Sequence, residues 1–496
     1  MQQINYSEAY KSLLNFVHLI ESDETSYKLI IDKNGKPFPF NVKFNVTSNG
    51  DYALSFSTNS LIHPQVFDTP LIGIHSENYS VFFESMQICK SDFTFSTSAE
   101  KSYHIETKSF RSTLNKEWKD SYICAFYKYD HSKLNPRTSC VINNEAHNGI
   151  HCPINISIGG CDLIVFWGDG KPNTGSGTDE RYLTFFSKSK TNYLTFKKIV
   201  NAIRVVWGLI TGYYIGKSVY YVSYMPELHG EGLSFSYSNL QEDFVSNRGL
   251  LDFIINENMS EQDLLLTKDE FEQLINLLYG NESFYRAGQL LLQAIHDEGL
   301  SKGGIAAIAL ETITGEIERQ FKSSKQHELN ELKMPSKLLD KIQNIIISFK
   351  EKSEITNEQL EHYLKRLNGF SEPLNKDKLF HPFKLLNINL SETEKGIIKN
   401  RDAILHGNLP KIYKDLDFAS KLNPEERIFY VSNKLIMLCA LLLFGKANID
   451  KLIVDWGITI IVKKHLIEDG RYIGGYGKKY RRVFYKPVED SPDWIS

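Results

Sequence analysis

The chain has 496 residues, which is enough for two to four domains that each bury a hydrophobic core. Its 42% hydrophobic and 24% charged residues are ordinary for a globular protein. The formal net charge of −3 excludes a chain that is basic throughout, so any surface for nucleic acid must be local.

The N-terminal half is predicted to be rich in β-strands after a short opening helix at 5–22. From about 27 to 190, polar and apolar residues alternate in short runs separated by Gly, Asn and Ser clusters, a pattern typical of a sandwich or barrel. Helical spacing returns over 193–211, and 217–225 is predicted as one more strand. Arg204 lies in the middle of that helix and argues against a membrane span.

The C-terminal half is predicted to be all-helical. Apolar residues at helical spacing indicate helices over 267–279, 283–298, 303–322, 335–350, 356–367, 391–406 and 424–445. The longest apolar run, Leu435 to Phe444, is about half as long as a bilayer span, so it is predicted to be a buried core helix. Residues 451–487 then change to a glycine-containing hairpin pattern.

These patterns predict an α+β multidomain protein, in which a β-rich N-terminal domain is followed by an all-α bundle and a short basic C-terminal segment. We place these three parts at 1–240, at 241–450 with a core at about 283–450, and at 451–496. The chain start lacks the basic and apolar regions of a secretory signal, and the six cysteines contain no CxxC pair. We therefore expect a cytoplasmic protein with reduced thiols and no membrane segment.

One segment of the helical half, KNRDAILHGN, carries residues suited to catalysis. A capping-box pattern begins the helix in which it lies and a glycine ends it, so Arg401, Asp402 and His406 lie in the last turns. On an ideal helix five positions turn about 500°, which leaves Arg401 and His406 about 140° apart. Asp402 and His406 are four positions apart, so the carboxylate can orient the imidazole while the long arginine reaches around the helix.

This segment resembles the hallmark of the HEPN superfamily, in which an arginine, a polar residue, three variable residues and a histidine stand near the end of a late helix in a small bundle. Arg401, Asp402 and His406 match that pattern. Two long helices precede the motif and an apolar helix follows it. Glu311 matches a frequent acidic position of the second helix, which implies a supporting hydrogen bond to Arg401. The β-rich half followed by such a bundle looks like the ApeA-like abortive-infection proteins of bacterial antiphage defence.

The resemblance implies a metal-independent endoribonuclease that acts as a homodimer, with both copies of the motif facing one cleft. A ribose 2′-OH of the RNA attacks the adjacent phosphodiester and leaves a cyclic phosphate and a free 5′-OH. Histidine titrates near neutral pH, so His406 is expected to move the proton, while the fork-shaped guanidinium of Arg401 holds the phosphorane oxygens. No cofactor is implied. Transfer RNA is one expected substrate, and a phage-derived protein is one expected trigger.

The C-terminal segment carries a second candidate for RNA contact. Basic residues with interleaved aromatic residues suit the phosphates and unstacked bases of single-stranded RNA. The candidates for contact are Lys478, Lys479, Arg481 and Arg482. The alternative is an exposed hairpin with a solvated basic face, or a strand pair added to the β domain, and the sequence favours neither.

Cysteine and histidine residues cluster between 140 and 161 and include the ligand types that zinc prefers. Their spacing matches no zinc finger and several fall in predicted strands, so no metal site is predicted. The weak candidates are Cys140, His147, His151, Cys152 and Cys161.

A different function stays open from the sequence, namely a HEPN scaffold that does not cut RNA. In that alternative the bundle only dimerises, and the β-rich domain binds a protein or a carbohydrate. The joint presence of Arg401, Asp402 and His406 favours the nuclease, because a scaffold has no need to keep them. Incubation with total RNA in EDTA distinguishes the two.

Overall fold

A computed structural model gives the fold, and the chain divides into two compact units. The first unit comprises residues 1–247 and 266–280, and the second comprises 248–265 and 281–496. The structure describes residues 13, 17, 26–31, 40–46, 52–58, 72–75, 80–83, 88–95, 101–107, 109–111, 118, 121–129, 141–142, 151–169, 181–216, 218–224, 235–239, 244–246, 248–251, 265–324, 336–352, 354–370, 375–410, 422–457, 459 and 480–483.

The first unit is built mainly from antiparallel strands, as the alternating sequence pattern predicts. Its strands are β1 (Ser26–Ile31), β2 (Phe40–Val46), β3 (Tyr52–Thr58), β4 (Ile72–His75), β5 (Ser80–Phe83), β6 (Ile88–Phe95), β7 (Lys101–Thr107), β8 (Ser109–Arg111), β9 (Tyr122–Tyr129), β10 (Val141–Ile142), β11 (His151–Ile158), β12 (Cys161–Asp169), β13 (Arg181–Ser187), β14 (Tyr213–Tyr214), β15 (Ser218–Tyr224), β16 (Phe235–Asn239), β17 (Phe244–Val245) and β18 (Leu266–Thr267). One seven-stranded sheet has the order β5-β4-β1-β2-β3-β7-β6, and a second has the order β11-β12-β13-β9-β15-β16-β8. Strands β10 and β18 form a parallel pair, and β14 and β17 an antiparallel one.

The long helix of the first unit, α1 (Tyr193–Thr211), has the bounds that the sequence predicts. The Asn192 side chain caps its start, and Gly212 ends it in the left-handed conformation at φ +75°. Arg204 is buried in this helix, and its guanidinium lies 4.1 Å from the centre of the Tyr127 ring. An aromatic face and backbone carbonyl groups can hold a buried cation, so this charged residue is part of the core.

The next helix, α2 (Lys268–Gly280), also belongs to the first unit, where it contacts α1 and β11. The Ser157 N–H donates to the Glu272 carboxylate at 2.9 Å, and Phe271 meets Trp207 edge to face at 6.2 Å between ring centres. The division at residue 240 drawn from the sequence places this helix with the helical part. In the structure its apolar face finds a partner in the β-rich unit instead.

The second unit is a helical bundle with a short pair of strands. Its elements are α3 (Glu282–His296), α4 (Gly299–Ser324), α5 (Ser336–Glu351), α6 (Asn357–Phe370), α7 (Asn375–Leu385), α8 (Glu392–Leu405), α9 (Pro424–Lys446), β19 (Leu452–Val454) and β20 (Tyr480–Arg482). The long helix α4 contacts α3, α7, α8 and α9 and is therefore the central element, whereas α5 and α6 pack on each other. The helices predicted from the sequence are confirmed within a few residues, but α7 was not predicted.

A hydrogen-bonded carboxylate joins the first two helices of this unit. The Asn281 side chain caps α3 and donates to Glu316 of α4 at 2.6 Å, while Arg319 donates to the same carboxylate through Nε at 2.8 Å. These donors, Arg319 first, lower the pKa of the buried Glu316 to about 2. The ionised Glu316 carboxylate therefore helps to hold α3 against α4 through its hydrogen bond from Asn281.

Helix α9 forms the core of the second unit. Leu435 to Phe444 are all buried, which confirms that this run is a core helix. Among the described helices α9 is long and apolar enough to cross a membrane, but 89% of its apolar window is buried inside the protein. After α9 in the chain, β19 pairs with β20, and most of the hairpin predicted over 451–487 lies outside the described residues. Of the predicted opening helix, Leu13 and Val17 are described, and both are helical.

Candidate active site

The helix that carries the motif, α8, is capped at both ends. At its start the Ser391 N–H donates to the Glu394 carboxylate at 2.8 Å, and the Glu394 N–H donates to the Ser391 hydroxyl at 3.2 Å. At its end Gly407 adopts φ +72°, and its N–H donates to the Ile404 carbonyl at 3.0 Å. This turn holds His406 at the exposed end of the helix.

Arg401 is buried beside α4, with 10% of its side chain exposed. The Oε1 atom of Glu311 accepts a hydrogen bond from Arg401 Nε at 3.0 Å and lies 2.9 Å from Nη2. The remaining nitrogen, Nη1, donates to the Ile398 carbonyl at 3.3 Å and lies 3.5 Å from Asp402 Oδ1. All three guanidinium nitrogens thus have acceptors, so the buried charge is balanced. The contact between Arg401 and Glu311 is the one that the family resemblance implied.

The Asp402 carboxylate faces Arg401, and among the described residues no hydrogen bond joins it to the His406 ring. Asp402 and His406 are linked through the backbone, because the His406 N–H donates to the Asp402 carbonyl at 3.0 Å. The four-residue spacing therefore gives a backbone hydrogen bond that fixes the position of His406 at the end of the helix. His406 is exposed, so a substrate can reach its imidazole.

Helix α8 approaches α4 very closely beside the motif. A Cβ atom at Gly303 would lie 2.8 Å from Ile404 Cγ2 and 2.6 Å from Ser432 Oγ of α9, which is closer than atoms pack. The meeting point of these three helices therefore requires a glycine. Since Ile404 stands between Arg401 and His406, this contact holds the motif against α4.

Exposed apolar side chains accompany the motif. Leu405 and Leu409 flank His406 in sequence and are 37% and 43% exposed. On α4, the helix that α8 packs against, Leu300 and Ile308 are 37% and 42% exposed. A contiguous patch of exposed apolar residues is typical of an interaction surface.

The structure describes two of the four basic candidates of the C-terminal segment. Arg481 and Arg482 lie on β20, which pairs with β19. Lys478 and Lys479 lie outside the described residues. Both strands belong to the second unit, so they are not a strand pair added to the β-rich domain. A role of the basic side chains in RNA contact stays a prediction.

The cysteine and histidine candidates lie in the second sheet of the first unit where they are described. His151 and Cys152 are on β11 and Cys161 is on β12, whereas Cys140 and His147 lie outside the described residues. Cys161 is buried, and burial raises the pKa of its thiol. In the part of the chain that the structure describes, no group of three His, Cys, Asp or Glu residues is placed to hold a metal ion.

One pair near the motif was not predicted from the sequence. His381 of α7 is bonded through Nδ1 to the Glu318 carboxylate of α4. Glu318 follows Glu311 by seven positions, so both lie on the same face of α4. The pair was missed because Pro382 stands inside α7 and argues against a helix there. The signal that could have found it is the helical spacing of the buried Leu379 and Phe383.

Three features of the site occur at the end of α8. A buried cation is held by a carboxylate of the neighbouring helix, an exposed histidine follows it, and exposed apolar residues neighbour that histidine in the chain. Compared with known proteins, this chain matches no family model, no curated protein and no solved structure.

Proposed function

We propose that the second unit is a metal-independent endoribonuclease of the HEPN type, which cuts RNA during antiphage abortive infection. The main support is the position of Arg401, buried and paired with Glu311, beside the exposed His406 at the end of one helix. A held cation and an accessible imidazole are the groups that attack by a ribose 2′-OH needs. Transfer RNA is the first substrate to test, and a phage-derived protein is the first trigger.

The proposed reaction moves two protons. The 2′-oxygen forms a bond to phosphorus while the bond to the 5′-oxygen breaks, which leaves a cyclic phosphate and a 5′-OH. One proton leaves the 2′-OH and another reaches the departing 5′-oxygen, so a His406 from each of two copies serves as base and acid. Arg401 has five N–H groups, of which Glu311 takes two and the Ile398 carbonyl one, and it stabilises the phosphorane oxygens with the two that remain.

The same proposal requires a homodimer, and the apolar side chains beside the motif support one. Leu405, Leu409 and Ile308 are each about 40% exposed in the single chain. Burying the exposed part of each contributes about 1 kcal/mol to association. Replacing Leu405 and Leu409 by lysine should yield a monomer by light scattering that no longer cuts RNA. A monomeric variant with wild-type cleavage contradicts the composite site.

Incubation of the purified protein with total RNA in EDTA tests the proposal. We expect cleavage products that end in a cyclic phosphate, and we expect His406→Ala and Arg401→Ala to lose cleavage by a factor of at least about 100. His362→Ala is the matched control, since it removes an exposed histidine of α6 in the same unit. Circular dichroism of each variant establishes that it is folded.

Arg401→Lys gives a finer test. A lysine keeps the positive charge but cannot offer a fork of donors to both Glu311 and a phosphorane oxygen, so cleavage should stay low. Wild-type cleavage by His406→Ala or by Arg401→Ala contradicts the assignment of these residues. Cleavage that EDTA abolishes contradicts a metal-independent reaction.

One observation favours a second candidate, the scaffold that does not cut RNA. The Arg401 side chain is only 10% exposed and its nitrogens already have protein acceptors, which is also what a structural ion pair looks like. A scaffold predicts that Arg401→Ala lowers the melting temperature while His406→Ala changes neither stability nor any RNA cleavage. The nuclease predicts that His406→Ala keeps its melting temperature and loses cleavage.

A further inference from the structure

Helix α5 of the second unit exposes an apolar stripe. The side chains of Leu338, Ile345 and Phe349 are 45%, 55% and 43% exposed. Among the residues of α5 whose exposure the structure describes, none is buried, although the helix is rich in leucine and isoleucine. Apolar surface in water is unfavourable, and a contiguous stripe of it marks a surface that another molecule covers.

The stripe has the spacing of a seam between paired helices. The α5 seam, as we call it, consists of Leu338, Ile342, Ile345 and Phe349. Successive members are separated by four, three and four residues, so all of them lie within about 60° of one another on the helix. Leu339 and Ile346 lie about 80 to 100° round the helix from Leu338 and are only partly exposed, so we place α6 on that side. A stripe this narrow is typical of helix pairing rather than of packing on a broad core.

The charged residues of α5 are divided between two sides of the helix. Lys341 and Lys352 are exposed and lie about 20 to 40° beyond the edge of the α5 seam, on the side away from α6. Asp340 and Glu351 are also exposed, but they lie about 140 to 160° from Leu338. The apolar seam is therefore bordered by positive charge, and the negative charge of the same helix is on the reverse side.

This division of charge argues against a second copy of the chain as the molecule that covers the seam. Two α5 seams in contact would bring lysines to the contact from both chains and acidic residues of α5 from neither. Like charges beside an apolar contact are unfavourable, whereas opposite charges there favour the correct partner. A partner with carboxylates beside its own apolar residues satisfies both the apolar stripe and its basic border.

We propose that the α5 seam binds one amphipathic helix of another protein, with apolar residues at heptad spacing and with glutamate or aspartate beside them. The apolar side chains of that helix pack between Leu338, Ile345 and Phe349, and its carboxylates lie against Lys341 and Lys352. Apolar burial supplies the affinity, and the charges select the partner. The α5 seam lies on a different helix from the candidate active site, so the proposal does not rest on RNA cleavage.

Two synthetic peptides and the full chain test this surface. Both peptides have leucine and isoleucine at heptad spacing, and one carries glutamate beside these positions where the other carries lysine. By fluorescence anisotropy, the glutamate peptide should bind at least about tenfold more tightly than the lysine peptide, and added salt should reduce that difference. Ile345→Glu should weaken binding of the glutamate peptide at least about tenfold. Asn344→Glu is the matched control, since it adds the same charge at an exposed neighbour outside the seam and should bind within about twofold of the wild type.

Exchanging the charges of the border gives the sharper test. Lys341→Glu combined with Lys352→Glu should reverse the preference, so that the lysine peptide binds more tightly than the glutamate peptide. Equal binding of both peptides by the wild type, no binding of either, or binding that Ile345→Glu leaves unchanged overturns the proposal.

Two further measurements test the other molecules that could cover the stripe. Binding of the chain to phosphatidylglycerol vesicles without binding of the glutamate peptide assigns the stripe to a membrane surface and overturns the proposal. A dimer by light scattering that Ile345→Glu converts to a monomer assigns the stripe to a second copy and also overturns it. Circular dichroism establishes that each variant is folded, and the comparison of the two peptides with the wild type needs no variant.

Discussion

Adding one methyl group at Gly303 of α4 should destabilise the second unit, whereas the same change at the next residue should not. Alanine in place of glycine within a helix is favourable by about 1 kcal/mol, because the unfolded chain loses freedom. A Cβ at Gly303 would lie 2.8 Å from Ile404 Cγ2 and 2.6 Å from Ser432 Oγ, whereas a Cβ at Gly304 meets no atom within 4 Å. The hydroxyl can rotate away, but the Ile404 methyl is fixed by its branched side chain.

Overpacking of this kind costs about 1 to 3 kcal/mol, so the two alanine variants should differ by about that amount. Gly303→Ala should melt several degrees below Gly304→Ala, at about 2 to 4 °C per kcal/mol for a unit of this size. Combining Gly303→Ala with Ile404→Leu should restore part of the loss, since leucine has no methyl group on Cβ. A Gly303→Ala variant that melts at or above Gly304→Ala, or shows no coupling to Ile404→Leu, refutes the close contact between α4 and α8.

Three further predictions concern charged groups. Glu311→Gln should cost about 1 kcal/mol by chemical denaturation, because the buried Arg401 keeps an acceptor but loses its paired charge, and no loss at all contradicts that pairing. Ionised Glu316 has a lowered pKa, so its contribution is complete above about pH 4.5 and is lost as the pH falls towards 2. Glu316→Gln should therefore show a flatter acid dependence of stability, and a parallel curve counts against the hydrogen bonds with Arg319 and Asn281. Neutralising the basic tail should flatten the salt dependence of RNA binding if these residues contact phosphates, and should lower only the melting temperature if they merely support a strand pair. The residues to change are Lys478, Lys479, Arg481 and Arg482.

The helix bounds were predictable where local signals suffice. In α1 the apolar spacing is bounded by Asn192 and Gly212, residues that favour the start and the end of a helix, so the bounds follow from the sequence. In α7 the local signals conflict, since Pro382 lies inside the helix and its packing on α4 outweighs that cost. The position of α2 in the β-rich unit depends on a tertiary partner, which periodicity does not identify.

In the candidate site, too, the features that depend on local sequence could be predicted, and those that depend on tertiary contacts could not. The helix end with Arg401 and His406 could be read from the capping pattern, because caps are local. The contact with Glu311 joins residues ninety positions apart, so only the resemblance to a family pointed to it. The burial of Lys302 could not be predicted, because the sequence pattern indicates an ordinary solvated lysine on a helix. Its burial depends on a tertiary neighbour, α9, whose Phe429 ring centre lies 5.8 Å from the Lys302 Nζ.

The spacing between Glu311 and Glu318 of α4 limits where this chain can gain or lose a residue. Their partners, Arg401 on α8 and His381 on α7, hold the same face of α4 at two points that are seven residues, or about 10 Å, apart. A substitution between them leaves both contacts in place. An insertion or deletion of one residue rotates one carboxylate by about 100° relative to the other, so only one of the two contacts can form. We expect homologous chains to keep the spacing between these two residues even where the connection between α4 and α5 changes in length.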